Sequence, residues 1–436
     1  MMHLHAVLLA LCAGLLPAAS HGEDAASPAP PEQSHFLFDL GWDRGLTYRY
    51  ESHLAEVDPT GLIGDTVLSG RVGASLYLDG GWADGGAVQD DADGWLGAVR
   101  RARFYTSGRL ERWLTTDYKF EFAVERSHVY LNDFYLRWAP SRFVDSLRIG
   151  YFDSPVAFQN IVASNSRVLM ETAAPVSAFV PGFRLGVETS GVANDPSLTW
   201  LLHLASVGQS QDFGDASDQP LRIGGRLVWR PWGGGSPDAD LLHLGISLGY
   251  SPPTGGSVRF RARPESFLVD EVVDTGDLDG GSTLLGVEGV WRRGSFAVQS
   301  ELLATFVDGR GDVGGKDRAV GDPIFYGGYV QANVALTGET RTYDVRSAAF
   351  DRLVPASPFG WGKPGSGALE LAGRLSWLDL ADGAVDGGRL LSFSLGPAWT
   401  WNQNVRVLGG WVVGHVSGRP QSGFLEVFQL RLELSF

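Results

Sequence analysis

Arginine dominates the chemistry available to this chain: of its 35 basic residues, only Lys119, Lys316 and Lys363 are lysines. A guanidinium presents five donors in a rigid fork, a shape that matches oxyanions. Several of these residues are spaced by two. Arg101 and Arg103 share one face of their run. Lys119 and Glu121 oppose Tyr118, Phe120, Phe122 and Val124, and Asp133 falls with Arg137. Arg222, Arg226 and Arg230 oppose Leu221, Ile223, Leu227 and Trp229, while Arg148 and Arg374 each oppose apolar neighbours. Period two places such residues on one face of a strand. A wet face of this kind can exchange the water around an anion for fixed donors. The plainer reading of each arginine is a partner for a carboxylate, and a high genomic GC content accounts for the arginine excess without selection.

Other chemistries find little support. There is no Gly-x-Ser-x-Gly, Walker loop or His-Glu-x-x-His motif, so an enzyme is not expected. The histidines beyond the leader are scattered (His35, His53, His128, His203, His243 and His415), and the single cysteine is Cys12, which removes disulfides, Cys-ligated metals and any obvious cofactor site. A net charge of −15 disfavours nucleic acid.

The elements that must carry these residues read as strands. At the C-terminus Phe428, Leu430, Leu432, Leu434 and Phe436 alternate with Gln429, Arg431, Glu433 and Ser435. A terminal aromatic on an amphipathic strand resembles the C-terminal signature of Gram-negative outer-membrane proteins. Runs of about ten alternating residues recur from His35 onward, separated by Gly, Asp or Pro-rich turns, and give about eighteen candidates, one or two of them loop ribbons. Two of these candidates lie near 36–50 and 257–268. Tight connections at Arg109–Thr115 and Asn402–Val405 contrast with long ones at Asp79–Gly94, Asp270–Ser282, Asp308–Pro323 and Arg341–Gly367. Short turns on one side and long loops on the other suit an all-β transmembrane antiparallel barrel of 16 strands, or up to 18. No run is long and apolar enough for a membrane helix. Residues 1–22 read as a secretory signal peptide, with an apolar core at Ala6–Leu16 and cleavage near 20–22. Residues 23–34 form a flexible Ala/Pro-rich lead-in, and 35–436 the barrel.

From Arg100 onward the chain resembles the phosphate-selective porins O and P. The resemblance rests on Arg100-Arg101-Ala102-Arg103, Asp117-Tyr118-Lys119-Phe120-Glu121, Asp133-Phe134-Tyr135-Leu136-Arg137 and Leu147-Arg148-Ile149-Gly150-Tyr151-Phe152. It continues through Met170-Glu171, Phe179–Val187, Arg263-Pro264-Glu265-Ser266 with Asp274-Thr275-Gly276, Gly328–Ala332, Leu336–Arg341, Glu370–Leu378 and Gln429–Glu433. It implies a homotrimer of sixteen-stranded barrels in the outer membrane, in contact with lipid and lipopolysaccharide, each with a loop folded into its own pore. Pro155–Pro181, which breaks the alternation, has the length of that constriction loop, with Ser164, Asn165, Ser166, Arg167 and Glu171 as its polar parts. The anion-specific members' lysine cluster is missing here, and Glu121 and Asp133 share the presumed lumen with Arg101, Arg103, Lys119, Arg137, Arg148, Arg222, Arg226, Arg230 and Arg374. The expected function is passive diffusion of small hydrophilic solutes, anions such as phosphate or polyphosphate first. A non-specific or weakly cation-preferring pore and a plugged structural or adhesive barrel are the alternatives.

Overall fold

The computed structural model describes residues 34–436 except 42–44, 53–65, 90–91, 113, 126–127, 142, 194–196, 208–220, 234–237, 254–256, 310–320, 361, 363 and 420–421. The expected signal peptide and nearly all of the lead-in lie outside the described residues.

Eighteen main strands form in chain order. They are β1 (Ser34–Gly41), β2 (Gly45–Ser52), β3 (Thr66–Asp84), β4 (Gly94–Glu111), β5 (Thr116–Glu125), β6 (His128–Trp138), β7 (Ser146–Phe152), β8 (Arg184–Val192) and β9 (Leu198–Ser206). After them come β10 (Leu221–Trp232), β11 (Leu241–Ser251), β12 (Leu278–Arg293), β13 (Phe296–Gly309), β14 (Ile324–Ala335), β15 (Ala368–Asp382), β16 (Val385–Thr400), β17 (Val405–Ser417) and β18 (Gly423–Ser435). Strands β3 to β18 pair antiparallel, each with the next, and β18 returns to β3 through Glu426↔Asp84 to Ser435↔Ser75. The result is a closed barrel of sixteen strands, which leaves no unpaired edge in the wall. The Phe436 amide and carbonyl continue the seam by bonding Ala74.

The two candidate runs that are not wall strands are 36–50 and 257–268. The first covers most of the β1–β2 hairpin, which pairs with Thr66–Val72 of β3 beyond the point where β18 stops. The second forms only two-residue ladders within a connection. Alternation marks both as amphipathic, but it does not say which neighbour a strand will find.

The apolar alternation faces outward. On β10 Leu221, Ile223, Leu227 and Trp229 are exposed while Arg222, Arg226 and Arg230 are buried. In water such a belt would be an aggregation surface; against lipid it is the stable arrangement. Tryptophans flank it: Trp82 and Trp95 near one rim, and Trp138, Trp229, Trp291 and Trp399 near the other.

Connection length does not follow the expected rhythm everywhere. Counting strands places 153–183 and 252–277 at one rim, and 112–115, 294–295 and 401–404 at the opposite rim. The long connection 336–367 emerges from the short-turn rim, whereas the long-loop rim carries the two-residue turn at 383–384. The contacts of 336–367 explain its length. Val345 O accepts from Thr199 Oγ1 (2.6 Å), and Ser347 O and Ala348 O accept from Arg226 (3.1 and 3.0 Å). Phe350 packs edge-on against Phe158 and Tyr343. The segment is therefore held by inward-facing side chains of β9 and β10 and by residues of the 153–183 connection.

Candidate functional site

The polar face of the barrel gathers most of the residues singled out by spacing, but in two different states. Along β4 to β7 the basic side chains Arg103, Lys119, Arg137 and Arg148 remain partly exposed, although Glu121 and Glu188 beneath them are buried. Arg103 Nη1 lies 3.1 Å from Glu121, and Lys119 Nζ lies 3.0 Å from Glu121 and 2.5 Å from Asp133. Arg137 bonds Asp117 at 2.8 Å near the short-turn rim, and Arg148 pairs with Glu188 and covers the Phe152 ring at 4.0 Å. Along β10 to β18 the inward groups are sealed. Arg226 pairs with Glu288, Arg230 donates to Thr199, and Arg374 holds Glu265 at 2.6 Å, all three arginines being almost fully buried. Arg222 is buried too, without a carboxylate partner among the described residues. Arg226, Arg230 and Arg374 thus face inward, as spacing predicts, but are enclosed by protein and do not present a free face to solvent.

The 336–367 connection covers Arg226 and Arg230, and 252–277 and 153–183 together cover Arg374. The 153–183 connection carries helix α1 (Phe158–Ile161), a single 3₁₀ turn at Ser164–Ser166 and helix α2 (Ala174–Phe179). Its backbone is tied to the wall group by group. Glu301 accepts the amides of Phe158 and Gln159, each at 2.8 Å, and Ser247 Oγ accepts that of Ala157. Arg406 donates to the carbonyls of Asn165 (3.2 Å) and Arg167 (2.6 Å), Arg341 to Ser166 (2.6 Å), Arg431 to Met170 (2.7 Å) and Arg374 to Glu171 (3.0 Å). Irregular backbone cannot satisfy itself with a ladder, so wall side chains supply its partners. The 252–277 connection adds Glu265, whose carboxylate takes Arg374, Ser376, Ser394 and the Ala174 amide.

Five guanidiniums converge where this connection meets β4 and β18: Arg100, Arg101, Arg103, Arg167 and Arg431. A register shift between Tyr77 and Leu78 makes this possible, because Tyr77 faces Arg101 and Leu78 faces Val99. Arg100 is the extra residue, and the bulge turns it inward beside Arg101 instead of outward. Glu171 sits among them, accepting from Arg100 Nε (2.9 Å) and Nη2 (3.0 Å) and from Arg431 Nη2 (2.6 Å). Burial pushes its carboxyl up, but Arg100, Arg431 and Arg101 overrule this and hold it well below the usual range. Arg167 donates to Val162 O, and burial brings it down to about 10 against the pull of Glu171 and Asp153. Neither Arg101 nor Arg167 has a carboxylate within salt-bridge distance among the described residues. Beside the cluster lies a cavity of ≈ 380 Å³ lined by Arg100, Tyr130, Glu171, Arg263, Phe267 and Glu271, among others. On the far side of the connection, between Arg167, Gln331 and Arg341, only ≈ 10 Å³ is open.

Spacing did not single out Arg100, Arg341, Arg406, Arg431, Glu265 or Glu301. Arg431 lies on the polar face of the terminal strand, and Arg341 and Glu265 lie within the stretches that carry the family resemblance, so a signal existed for these three. For Arg100 alternation gives the wrong face.

A closed antiparallel barrel with an apolar outer belt and a charged interior belongs to the class of outer-membrane β-barrels. The family model "Phosphate-selective porin O and P" matches residues 71–419. The chain belongs to that family, and family and fold are those of an outer-membrane porin. An uncharacterized protein of Caulobacter vibrioides is 27% identical over 334 residues, which cover 72% of this chain and 62% of the relative. The chain therefore spans about 62% of that relative's length. Among solved structures, the anion-selective porin from Comamonas acidovorans superposes with a TM-score of 0.51 at 11% identity, covering 85% of this chain and 100% of that one. OmpF of Salmonella typhi in complex with daunomycin gives 0.52 at 10% identity, over 85% and 98%. The outer-membrane channel DcaP of Acinetobacter baumannii gives 0.51 at 9%, over 85% and 97%. At such identities these likenesses show the fold.

Proposed function

We propose that the protein is a trimeric outer-membrane porin that passes small hydrophilic solutes, anions in preference, down their gradients. The 153–183 connection acts as the constriction loop, with Ser164, Asn165, Ser166, Arg167 and Glu171 as its polar face. The passage runs beside β4 to β8, lined by Arg101, Arg103, Lys119, Glu121, Asp133, Arg137 and Arg148, while Arg222 on β10 is buried and does not line it. Arg226, Arg230 and Arg374 hold the interior connections in place. The short-turn rim with Phe436 faces the periplasm.

One observation carries the preference for anions. Arg101 and Arg167 lie where the connection meets β4, and neither has a carboxylate within salt-bridge distance among the described residues, so Glu171 and Asp153 cancel their positive potential only in part despite the acidic chain. A guanidinium in a confined lumen attracts anions more strongly than one in bulk water, because fewer waters screen it. The zero-current potential of the purified protein in a planar bilayer under a salt gradient tests this. A chloride-sided potential that shrinks in Arg101→Gln and Arg167→Gln supports the reading. A cation-sided potential leaves the pore and refutes the preference.

A second reading is a barrel closed by its own connections. It is favoured by the dense packing along β10 to β18, where Arg226–Glu288, Arg341–Glu370, Arg374–Glu265 and Arg406–Glu433 are buried pairs. Absence of single-channel conductance would establish it.

A further inference from the structure

The arginine cluster is partly cancelled by three carboxylates, Glu171, Asp79 and Glu121. Glu171 neutralises Arg100 through a two-point contact at 2.9 and 3.0 Å and shares Arg431 with Asp79. Asp79 lies on the wall and is fully engaged by Arg431, with contacts of 2.7 Å from both Nε and Nη2. Glu121 is likewise occupied by Arg103, Lys119 and Asn132. Glu171 differs from both in position: it is carried by the connection, borders the 380 Å³ cavity and keeps part of its side chain exposed. Arg100 reaches it only through the β4 bulge.

We infer that Glu171 is a specificity-determining residue, setting how much of the arginine cluster's positive potential a passing solute meets. With Glu171 in place, Arg100 is balanced and the passage is left with Arg101 and Arg167. Without its charge, Arg100 also acts on the solute, whereas Arg431 keeps both contacts with Asp79. This inference rests on the porin reading and says that the chain's selectivity is held below what its arginines could provide.

The test compares zero-current potentials of wild type, Glu171→Gln, Arg100→Gln and the double variant in bilayers under a low-ionic-strength potassium chloride gradient, where screening is least. One unit charge at about 7 Å shifts each ion's local concentration about threefold even in bulk water, upward for one sign and downward for the other, so E171Q should raise the anion-to-cation permeability ratio by about sevenfold. R100Q should lower the ratio, and the double variant, with the wild-type net charge, should return towards it. A merely structural role predicts otherwise. Both single variants cut the same tether, so both would change conductance in the same direction, and the double variant would depart furthest. Folding is checked for each by heat-modifiable migration on gels. Should E171Q fail to fold, the R100Q ratio decides: a fall supports the inference and an unchanged value overturns it. Folded single variants at the wild-type potential also overturn it. A wild type without conductance overturns the porin reading instead.

Discussion

Asp153 stands where the ladder of β7 ends and the 153–183 connection begins. Its carboxylate accepts the Ser154 amide (2.9 Å) and Asn160 Nδ2 (3.3 Å). Burial pushes it up to about 6, against the opposing pull of Asn160 and Arg167. An ordinary aspartate titrates near ~3.9, so the folded protein favours the neutral acid. That contribution to stability is complete below about pH 4 and is lost as pH rises through about 6. Over the same window a negative charge appears beside Arg167, so anion preference should fall from about pH 5 to 7. Asp153→Asn should flatten this dependence in zero-current measurements; a variant with the wild-type slope would assign it elsewhere. Asp153 also marks a limit of sequence reading at this scale. Parity puts Arg103, Lys119, Glu121 and Asp133 on one face, but it does not say which of them pair. Arg100 was hidden by a bulge that no residue type announces, and a sequence separation of 71 from Glu171 leaves no local trace of their contact.

Strands and connections obey different physics, and this decides which of them a sequence reveals. A strand against lipid must alternate, so the wall was readable apart from 36–50 and 257–268. A connection is shaped by whatever wall atoms satisfy its backbone. Each of the three long ones has a non-glycine residue with positive φ: Ala157 (67°), Glu265 (59°) and Ala348 (51°). All three sit at tie points: Ala157 on Ser247, Glu265 on Arg374, Ala348 on Arg226. Such a conformation costs about 1–2 kcal/mol with a Cβ present, so the ties must exceed it. Ala348→Gly removes that strain and one buried methyl worth ~0.8 kcal/mol. The two nearly offset, and urea unfolding in detergent should place the variant within about 1 kcal/mol of wild type. Glu265→Ala has no such offset. It leaves the Arg374 guanidinium buried and unpaired, a change that typically costs about 3–5 kcal/mol. Equal stabilities for E265A and wild type would mean that the 252–277 connection does not depend on this tie.

Across the whole molecule the interior divides into two halves. On the β10 to β18 side, side chains of paired groups such as Arg226 and Glu288 are 2% exposed, whereas Lys119 and Arg103 across the barrel retain 27% and 21%. Charge at these two places should therefore govern different properties. A partly wet pair is screened and contributes about 0–1 kcal/mol to stability, yet it faces any solute that passes. A sealed pair meets no solute, and breaking it leaves an uncompensated buried charge. Arg103→Gln and Lys119→Gln should move the zero-current potential toward cations with little change in unfolding midpoint. Arg226→Gln should lower the midpoint and leave the potential in place, because Glu288 then loses its strongest partner while His243 remains at 2.8 Å. If Arg226→Gln shifts the potential as far as Arg103→Gln does, solute must reach both halves. The passage would then be a single central channel rather than one confined beside β4 to β8.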